Sequence, residues 1–293
     1  MDAGVLQVRS FNRIVAERIG ALDERFLGRD RPLSEARLIW EIGTEGADIR
    51  DLRGRLGLDS GYLSRLLRSL ERQGLATVCE GETDRRVRRV RLTASGLSER
   101  SELDRRSDVL AAGILEALSG RQQEALLTAM REVERLLRAS MVEFAVEDPA
   151  SPDAKWCFEQ YYGELAARFE GGFDPTLTTS TEPAELRPPG GLLAIARIRG
   201  AAVGCGALKF HEDWAEFKRL WVASEARGLG LGRRLLGELE RLTLEAGFRV
   251  VRLDTNRVLT EAITLYKHSG YSEIEAFNSD LYAHHWFEKR LAG

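Results

Sequence analysis

A glycine-rich stretch in the second half of the chain limits most strongly what this sequence can fold into. Residues 216–224 read as a strand, and Arg227-Gly228-Leu229-Gly230-Leu231-Gly232 follows after a short turn. The leucines beyond it recur at helical spacing, which indicates a helix that begins at this loop. Three glycines in five positions leave backbone N–H groups uncovered by side chains. A helix N-terminus also presents unpaired donors and a partial positive charge, so the stretch predicts a site for a phosphate or pyrophosphate.

The spacing of these glycines excludes two better-known phosphate loops. No Gly-Lys-Ser/Thr end is present, and Arg233 stands where Gly-x-Gly-x-x-Gly requires its third glycine. The pattern that fits is Arg-x-x-Gly-x-Gly, at Arg227, Gly230 and Gly232. It resembles the acyl-CoA pyrophosphate loop of the GNAT acetyltransferases. For the loop alone, a tight strand–helix turn without a ligand is the alternative.

A second segment strengthens this resemblance and extends it over residues 141–293. Asn256, Ala262, Leu265-Tyr266 and Gly270-Tyr271 resemble the family's Asn…Ala-x-x-Leu-Tyr-x-x-x-Gly-Phe/Tyr pattern. The resemblance implies an α/β fold with a mixed, splayed sheet and acetyl-CoA as the cofactor. The cofactor-binding residues that it implies are Val222, Arg227, Gly228, Leu229, Gly230, Leu231, Gly232, Arg233 and Asn256.

Acetyl transfer from a thioester to an amine needs a deprotonated amine, a stabilised oxyanion and a protonated leaving thiolate. Tyr266 stands at the family's position for the general acid toward sulfur, and the alternative is a tyrosine that only packs. Glu216 precedes Arg227 by the same offset as the general-base glutamate of the histone acetyltransferases. The alternative for Glu216 is a surface or substrate-binding carboxylate. On a strand, Glu216 and Lys218 should share a face.

The first half of the chain differs in charge from the second. The length of 293 residues favours two domains. Residues 50–91 hold 11 arginines against 6 acidic residues, although the whole chain has a net charge of −3. A local basic excess indicates a binding site rather than a generally basic chain.

The pattern within this basic segment is typical of a helix-turn-helix followed by a hairpin. A short helix runs from Asp48 to Gly57, and Asp59 or Ser60 caps the next one, which ends at Gly74. That second helix has one leucine face and one polar face, which carries Ser60, Tyr62, Ser64, Arg65 and Arg68. The hairpin that follows carries Arg85, Arg86, Arg88, Arg89 and Arg91. A basic hairpin beside a recognition helix indicates a wing that contacts DNA phosphates or the minor groove, whereas a solvated helical bundle is the alternative.

The end of this hairpin is similar to a known signature. Asp84-Arg85-Arg86, five residues, and then Leu92–Gly96 resemble the Asp-x-Arg-x5-Leu-Thr-x-x-Gly pattern of MarR-type winged-helix regulators. The resemblance covers about residues 4–140 and implies that Arg86 contacts a double-stranded DNA operator while Asp84 holds the wing. It also implies a homodimer built from the first helix and the helices near 94–117 and 119–139. Packing of those helices within one chain is the alternative.

The remaining features of the sequence bound the setting of the protein. No apolar run approaches the ~20 residues of a membrane helix, and the N-terminus lacks the pattern of a secretion signal. Three widely spaced cysteines indicate neither disulfides nor zinc, so we expect a cytoplasmic protein. His284 and His285 are adjacent and would point to opposite faces of a strand, so we assign no metal.

Together these patterns predict a mainly α winged-helix domain in residues 1–140 and a GNAT acetyltransferase domain in residues 141–293. We expect a DNA-binding regulator that also acetylates an amine, with the primary amine of a small molecule as the acceptor and a protein lysine as the alternative. A second domain that only senses acyl-CoA or another ligand is the rival hypothesis, and a winged helix that serves only for dimerisation is another.

Overall fold

The computed structural model describes residues 2–80, 88–178 and 183–292. The chain divides into two compact units, Met1–Met130 and Arg131–Gly293, and each has a buried apolar core of its own. The division falls inside a helix and ahead of the predicted boundary at residue 140, which stays a prediction.

The N-terminal unit combines helices with a small antiparallel sheet in the strand order β1-β3-β2. Its elements are α1 (Ala3–Arg18), α2 (Leu33–Ile42), β1 (Ala47–Asp48), α3 (Ile49–Leu56), α4 (Ser60–Arg72), β2 (Ala76–Glu80), β3 (Arg88–Leu92), α5 (Ala94–Glu116) and α6 (Gly120–Ser140), which crosses the division.

The helix-turn-helix forms as the sequence predicts. Gly57 ends α3 in the left-handed conformation, with φ of 63°. Asp59, rather than Ser60, caps α4, because its carboxylate accepts the Tyr62 N–H at 2.8 Å. The leucine face of α4 is buried in the core of the unit, at Leu63, Leu66, Leu67 and Leu70.

Two helix starts and ends differ from the sequence pattern. The apolar period of residues 4–28 suggested one long helix, but α1 ends at Arg18 and Gly20 follows with φ of 62°. Ser34 was expected to cap α2, yet the helix begins at Leu33 after Pro32. Proline fixes its own φ and disfavours helical conformation in the residue before it, so the helix starts directly after it.

The C-terminal unit is a seven-stranded mixed sheet with helices on both faces. The strand order is β4-β5-β6-β7-β8-β10-β9, and β7 and β8 are its parallel pair. Its elements are β4 (Val142–Glu147), α7 (Pro152–Arg168), β5 (Gly191–Ile198), β6 (Ala201–Phe210), β7 (Ala215–Val222), α8 (Leu231–Glu245), β8 (Val250–Thr255), α9 (Thr260–His268), β9 (Ser272–Ile274) and β10 (His285–Arg290).

Alternation along the strands assigns each helix to one face of this sheet. Leu193 and Ile195 of β5 pack in one cluster with Cys157 and Phe158 of α7. Ala194, between them, packs in another cluster with the leucines of α8 and with Tyr266 of α9. Side chains at i and i+2 share a face of a strand, so α7 covers one face, and α8 and α9 cover the other.

The last strand is shorter than the sequence suggests. Residues 281–291 were expected to form it, but β10 covers only His285–Arg290, so Tyr282 and His284 lie before it. Asp280 explains the difference, because its side chain accepts the Tyr282 N–H at 2.9 Å in a local turn. Tyr282, His284 and Trp286 therefore do not form one strand face.

Within the part of the chain that the structure describes, no helix has the length and apolar character needed to cross a lipid bilayer.

Candidate functional site

The C-terminal sheet opens between β7 and β8. The two strands pair only at Ala215–Val251 and Glu216–Arg252 and then separate. A β-bulge in β7 accompanies the separation, because Arg219 has a left-handed φ of 55° and the register with β6 shifts there. Bulges bend a strand and increase its twist. The sheet is therefore splayed at the place that the sequence predicts.

A groove of about 590 Å³ lies at this opening, which is within the usual range for cofactor sites. Most of the predicted cofactor-binding residues meet in it. Those that line it are Val222, Arg227, Gly228, Gly230, Leu231, Gly232 and Arg233, together with side chains of α7 and α9.

The loop before α8 presents main chain to this groove. Gly228 and Gly230 have φ of 76° and 70°, and a Cβ at either would meet no protein atom within 4 Å. Gly230 is the N-cap of α8 and makes no side-chain capping bond. The side chains of Leu229 and Leu231 are buried beneath the loop. The first N–H groups of α8 lack intrahelical partners, so the loop has the features of an anion site.

Arg227 is held by the protein itself. Its Nε donates to the Val222 carbonyl at 3.1 Å, and its guanidinium forms an ion pair with Glu164 of α7. Glu164 also accepts hydrogen bonds from the Trp221 indole at 2.9 Å and from Arg168 at 3.1 Å. Burial acts to raise the pKa of Glu164, but these hydrogen bonds together lower it. Glu164 therefore stays ionised and ties the glycine loop to α7.

Val222 turns its main chain toward the opening. It lies opposite Gly204 of β6, and the Ala223 N–H donates to the Val203 carbonyl at 2.9 Å. In an antiparallel ladder this pattern makes Val222 and Gly204 a non-hydrogen-bonded pair. The N–H and C=O of Val222 therefore point away from β6, and since Arg227 occupies the carbonyl, the N–H is the donor that faces the groove.

A smaller cavity of about 160 Å³ adjoins the groove, and side chains such as Tyr161 and Leu220 line both. Tyr266 lines the smaller cavity and is 6% exposed. Its ring packs 6.0 Å from Tyr271 and 5.8 Å from Phe287, measured between centroids. Burial, and then the charge of Asp254, raise the pKa of Tyr266. The phenol therefore keeps its proton at neutral pH, as a general acid must.

Glu216 does not line either of these two cavities. It is 5% exposed, and its Oε2 lies 2.9 Å from His211 Nε2. Its Oε1 forms an ion pair with Lys218 Nζ at 3.0 Å, so the two side chains share a face as the sequence predicts. Both oxygens of the proposed base are thus occupied by cationic or hydrogen-bonding partners.

Two carboxylates that the sequence reasoning missed, Asp254 and Asp280, line the smaller cavity. Asp254 accepts from Asn278 Nδ2 at 3.1 Å and lies 3.5 Å from Lys218 Nζ. Burial raises the pKa of Asp254, and the charge of Lys218 only partly opposes it. The signal was present in the alternation of β8, where Asp254 follows buried Leu253 and points to the opposite face.

Asn256 is 7% exposed and lines the smaller cavity rather than the groove. Its Nδ2 donates to the Tyr282 carbonyl at 2.8 Å, and its Oδ1 accepts the Val258 N–H at 3.0 Å. Its amide therefore fixes the end of β8 against the turn before β10, and a direct contact with the cofactor stays a prediction.

Among the described residues, no cluster of three histidine, cysteine or acidic side chains is placed to hold a metal ion.

In the N-terminal unit, the predicted DNA-contacting residues of α4 lie on its outer face. Ser60, Ser64, Arg65 and Arg68 are exposed, while Tyr62 is half-buried. The Arg65 guanidinium lies 5.5 Å from the centroid of the Tyr62 ring, which is a cation–π contact.

The two strands of the predicted wing pair as an antiparallel hairpin, with Cys79 opposite Arg89. Arg88 and Arg91 are exposed on it, whereas Arg89 is an ion-pair partner of Asp48 at 3.4 Å. The predicted wing residues Asp84, Arg85 and Arg86 lie outside the described residues, and their DNA contacts stay predictions.

Comparison with known proteins matches both halves of the chain to families. The Acetyltransferase (GNAT) family matches residues 156–271, and the MarR family matches residues 29–87. The chain is therefore a fusion of a MarR-family segment with a GNAT-family acetyltransferase domain, as the two resemblances implied.

Individual relatives match only in part. An IAA acetyltransferase from Azospirillum brasilense is 36% identical over 27% of this chain and 53% of its own length. An uncharacterised N-acetyltransferase from Schizosaccharomyces pombe is 37% identical over 31% of this chain and 57% of its own length. The chain thus spans little more than half the length of these curated relatives. The crystal structure of a putative acyl-CoA N-acyltransferase from Klebsiella pneumoniae aligns with 52% of this chain and 99% of its own, at 25% identity and a TM-score of 0.43.

Proposed function

We propose that the C-terminal unit binds acetyl-CoA in the groove between β7 and β8 and transfers its acetyl group to an amine. One observation carries the proposal: the glycine loop at the start of α8, the outward-facing main chain of Val222 and the buried Tyr266 meet around two adjoining cavities. The pyrophosphate would accept hydrogen bonds from the N–H groups of residues 228–233. The pantetheine would pair with Val222, which places the thioester at the smaller cavity.

Tyr266 would supply the proton for the departing thiolate. Its raised pKa, caused by burial and by Asp254, keeps the phenol protonated until the sulfur develops negative charge. The acid and the acceptor would share the smaller cavity, whose walls exclude much of the surrounding water.

The size of this cavity supports a small-molecule amine as the acceptor. Its volume of about 160 Å³ is close to the ~150 Å³ of an engineered protein cavity that binds benzene. Its walls are largely aromatic, with Tyr161, Phe169, Phe173 and Tyr282 around Asp254 and Asp280. A compact primary amine with an apolar body matches both the volume and the charge of these walls, and a lysine side chain is the competing acceptor.

For the N-terminal unit, we propose binding of a double-stranded DNA operator as a homodimer. The exposed polar face of α4 would enter the major groove, and the hairpin arginines would contact the adjacent backbone. Exposed apolar side chains on α1 and α6, among them Leu6, Phe11, Ile14 and Leu137, support a dimer surface.

The amine screen is the experiment that tests the enzymatic part. Acetyl-CoA-dependent thiol release would be measured for the full chain with arylalkylamines, aliphatic diamines and lysine peptides. We expect turnover with compact primary amines and slower reaction with peptides. Tight CoA binding without thiol release from any amine would reject the enzyme and leave the acyl-CoA sensor as the function of this unit.

A further inference from the structure

An acceptor amine is protonated at neutral pH, so acetyl transfer requires a group that removes a proton before nitrogen attacks. Such a base must lie within hydrogen-bond reach of the bound amine. Two buried carboxylates of the C-terminal unit compete for this task, Glu216 on β7 and Asp254 on β8.

The contacts of Glu216 do not suit a base. Its two oxygens face His211 Nε2 at 2.9 Å and Lys218 Nζ at 3.0 Å, and its side chain does not line the cavity that contains Tyr266. A substrate amine would have to displace one of these partners to reach the carboxylate.

Asp254 has the position that Glu216 lacks. It lines the smaller cavity together with Tyr266, and the charge of Asp254 acts on both Tyr266 and Tyr161. The splay of β7 from β8 beyond Arg252 opens the sheet beside it. An amine in this cavity can therefore lie between the thioester and the Asp254 carboxylate.

Several groups set the charge around Asp254. Lys218 of β7 and the amide of Asn278 favour the ionised carboxylate, while Glu216 and Asp280 favour the protonated one. Burial adds to the second group, and the pKa of Asp254 is raised as a result. A carboxylate with a raised pKa is a stronger base, and it remains ionised at neutral pH as long as Lys218 stays beside it.

We propose that Asp254 is the catalytic base of the acetyl transfer and that Glu216 is a positioning residue that holds Lys218 next to it. This inference rests on the proposed acetyltransferase activity. The ammonium gives one proton to the Asp254 carboxylate, and the neutral amine attacks the thioester carbonyl. The tetrahedral intermediate then expels the CoA sulfur, which takes the Tyr266 proton, while the second nitrogen proton restores Tyr266. Asp254 finally returns its proton to solvent.

The test uses the full chain and the best acceptor found in the amine screen. Asp254→Asn should lower kcat/KM by about 10²–10⁴-fold, the usual range for a general base, with CoA affinity and thermal melting close to those of the parent. Glu216→Gln should keep most of the activity and shift the acid limb of the pH profile to lower pH, because a charge that raises the pKa of Asp254 is removed. Asn278→Leu removes a hydrogen-bond donor to the carboxylate and should shift that limb to higher pH.

Glu288→Gln is the matched control, because Glu288 is an ion-paired carboxylate on the neighbouring strand and pairs with Arg252 at 2.9 Å. Its acid limb should stay at the parent position. If Asp254→Asn does not fold, the opposite shifts of the Glu216 and Asn278 variants still test the inference. Parent-like turnover of Asp254→Asn, or a collapse of activity in Glu216→Gln alone, would overturn it. Absence of turnover in the parent would instead reject the proposed function.

Discussion

The glycine loop at the start of α8 gives the sharpest prediction for cofactor binding. Gly230 has a left-handed φ of 70°, and a Cβ there would meet no protein atom within 4 Å. Gly247, beyond the other end of the same helix, has φ of 93° and equally open surroundings. Leucine at either position incurs the same backbone strain, but only Gly230 lines the groove. Gly230→Leu and Gly247→Leu are therefore a matched pair.

The structure gives the size of both effects. A residue with a Cβ in the left-handed region is disfavoured by about 1–2 kcal/mol. For a unit of this size, each kcal/mol lowers Tm by about 2–4 °C, so both variants should melt about 2–8 °C below the parent. Hydrogen bonds to a charged group contribute about 1.5–3 kcal/mol each. Loss of one pyrophosphate contact in Gly230→Leu should thus raise the Kd for CoA by about 10- to 100-fold.

Isothermal titration calorimetry with CoA, together with thermal melting, measures both quantities on the same samples. We expect equal melting shifts in the two variants and weaker CoA binding only in Gly230→Leu. Parent-like CoA affinity of Gly230→Leu would show that the pyrophosphate does not bind at this loop. An equal loss of affinity in Gly247→Leu would show that the effect comes from the stability of α8 rather than from the groove.

Two further predictions concern the N-terminal unit. Arg86→Ala should weaken DNA binding across sequences and reduce the salt slope by about 1, whereas Arg65→Ala should change sequence preference, as fluorescence anisotropy on operator and random duplexes would show; an unchanged slope in Arg86→Ala would contradict the wing assignment. Phe11→Glu, which puts a charge on the exposed apolar face of α1, should convert the dimer to a monomer in light scattering, while Arg13→Glu on the same helix should remain dimeric; a dimeric Phe11→Glu protein would place the interface elsewhere.

Local chemistry made much of this fold predictable. Asp59 and Gly57 punctuate α3 and α4 in the structure as they do in the sequence, because a cap and a left-handed glycine act through neighbouring residues alone. The glycine loop and the start of α8 were predictable for the same reason. The opening between β7 and β8 followed from the resemblance to a family rather than from any local pattern.

Contacts distant in sequence were what the pattern did not supply. The ion pair of Arg227 with Glu164 joins a loop to a helix 63 residues earlier. The importance of Asp254 depends on Lys218, 36 residues before it, and on Asn278, 24 residues after it. The sequence offered Glu216 as the base because its offset from Arg227 is local, but burial and partners, which decide its role, are properties of the folded sheet.

The central claim is that the C-terminal unit catalyses acetyl transfer with Tyr266 as the acid. The most direct measurement compares the parent with Tyr266→Phe, which keeps the ring packed against Tyr271 and Phe287 and removes only the hydroxyl. Steady-state formation of the acetylated amine, followed by mass spectrometry, should fall by about 10²–10⁴-fold in the variant, while its affinity for CoA stays within a few-fold of the parent. Tyr266→Phe forming product at the parent rate would contradict the account.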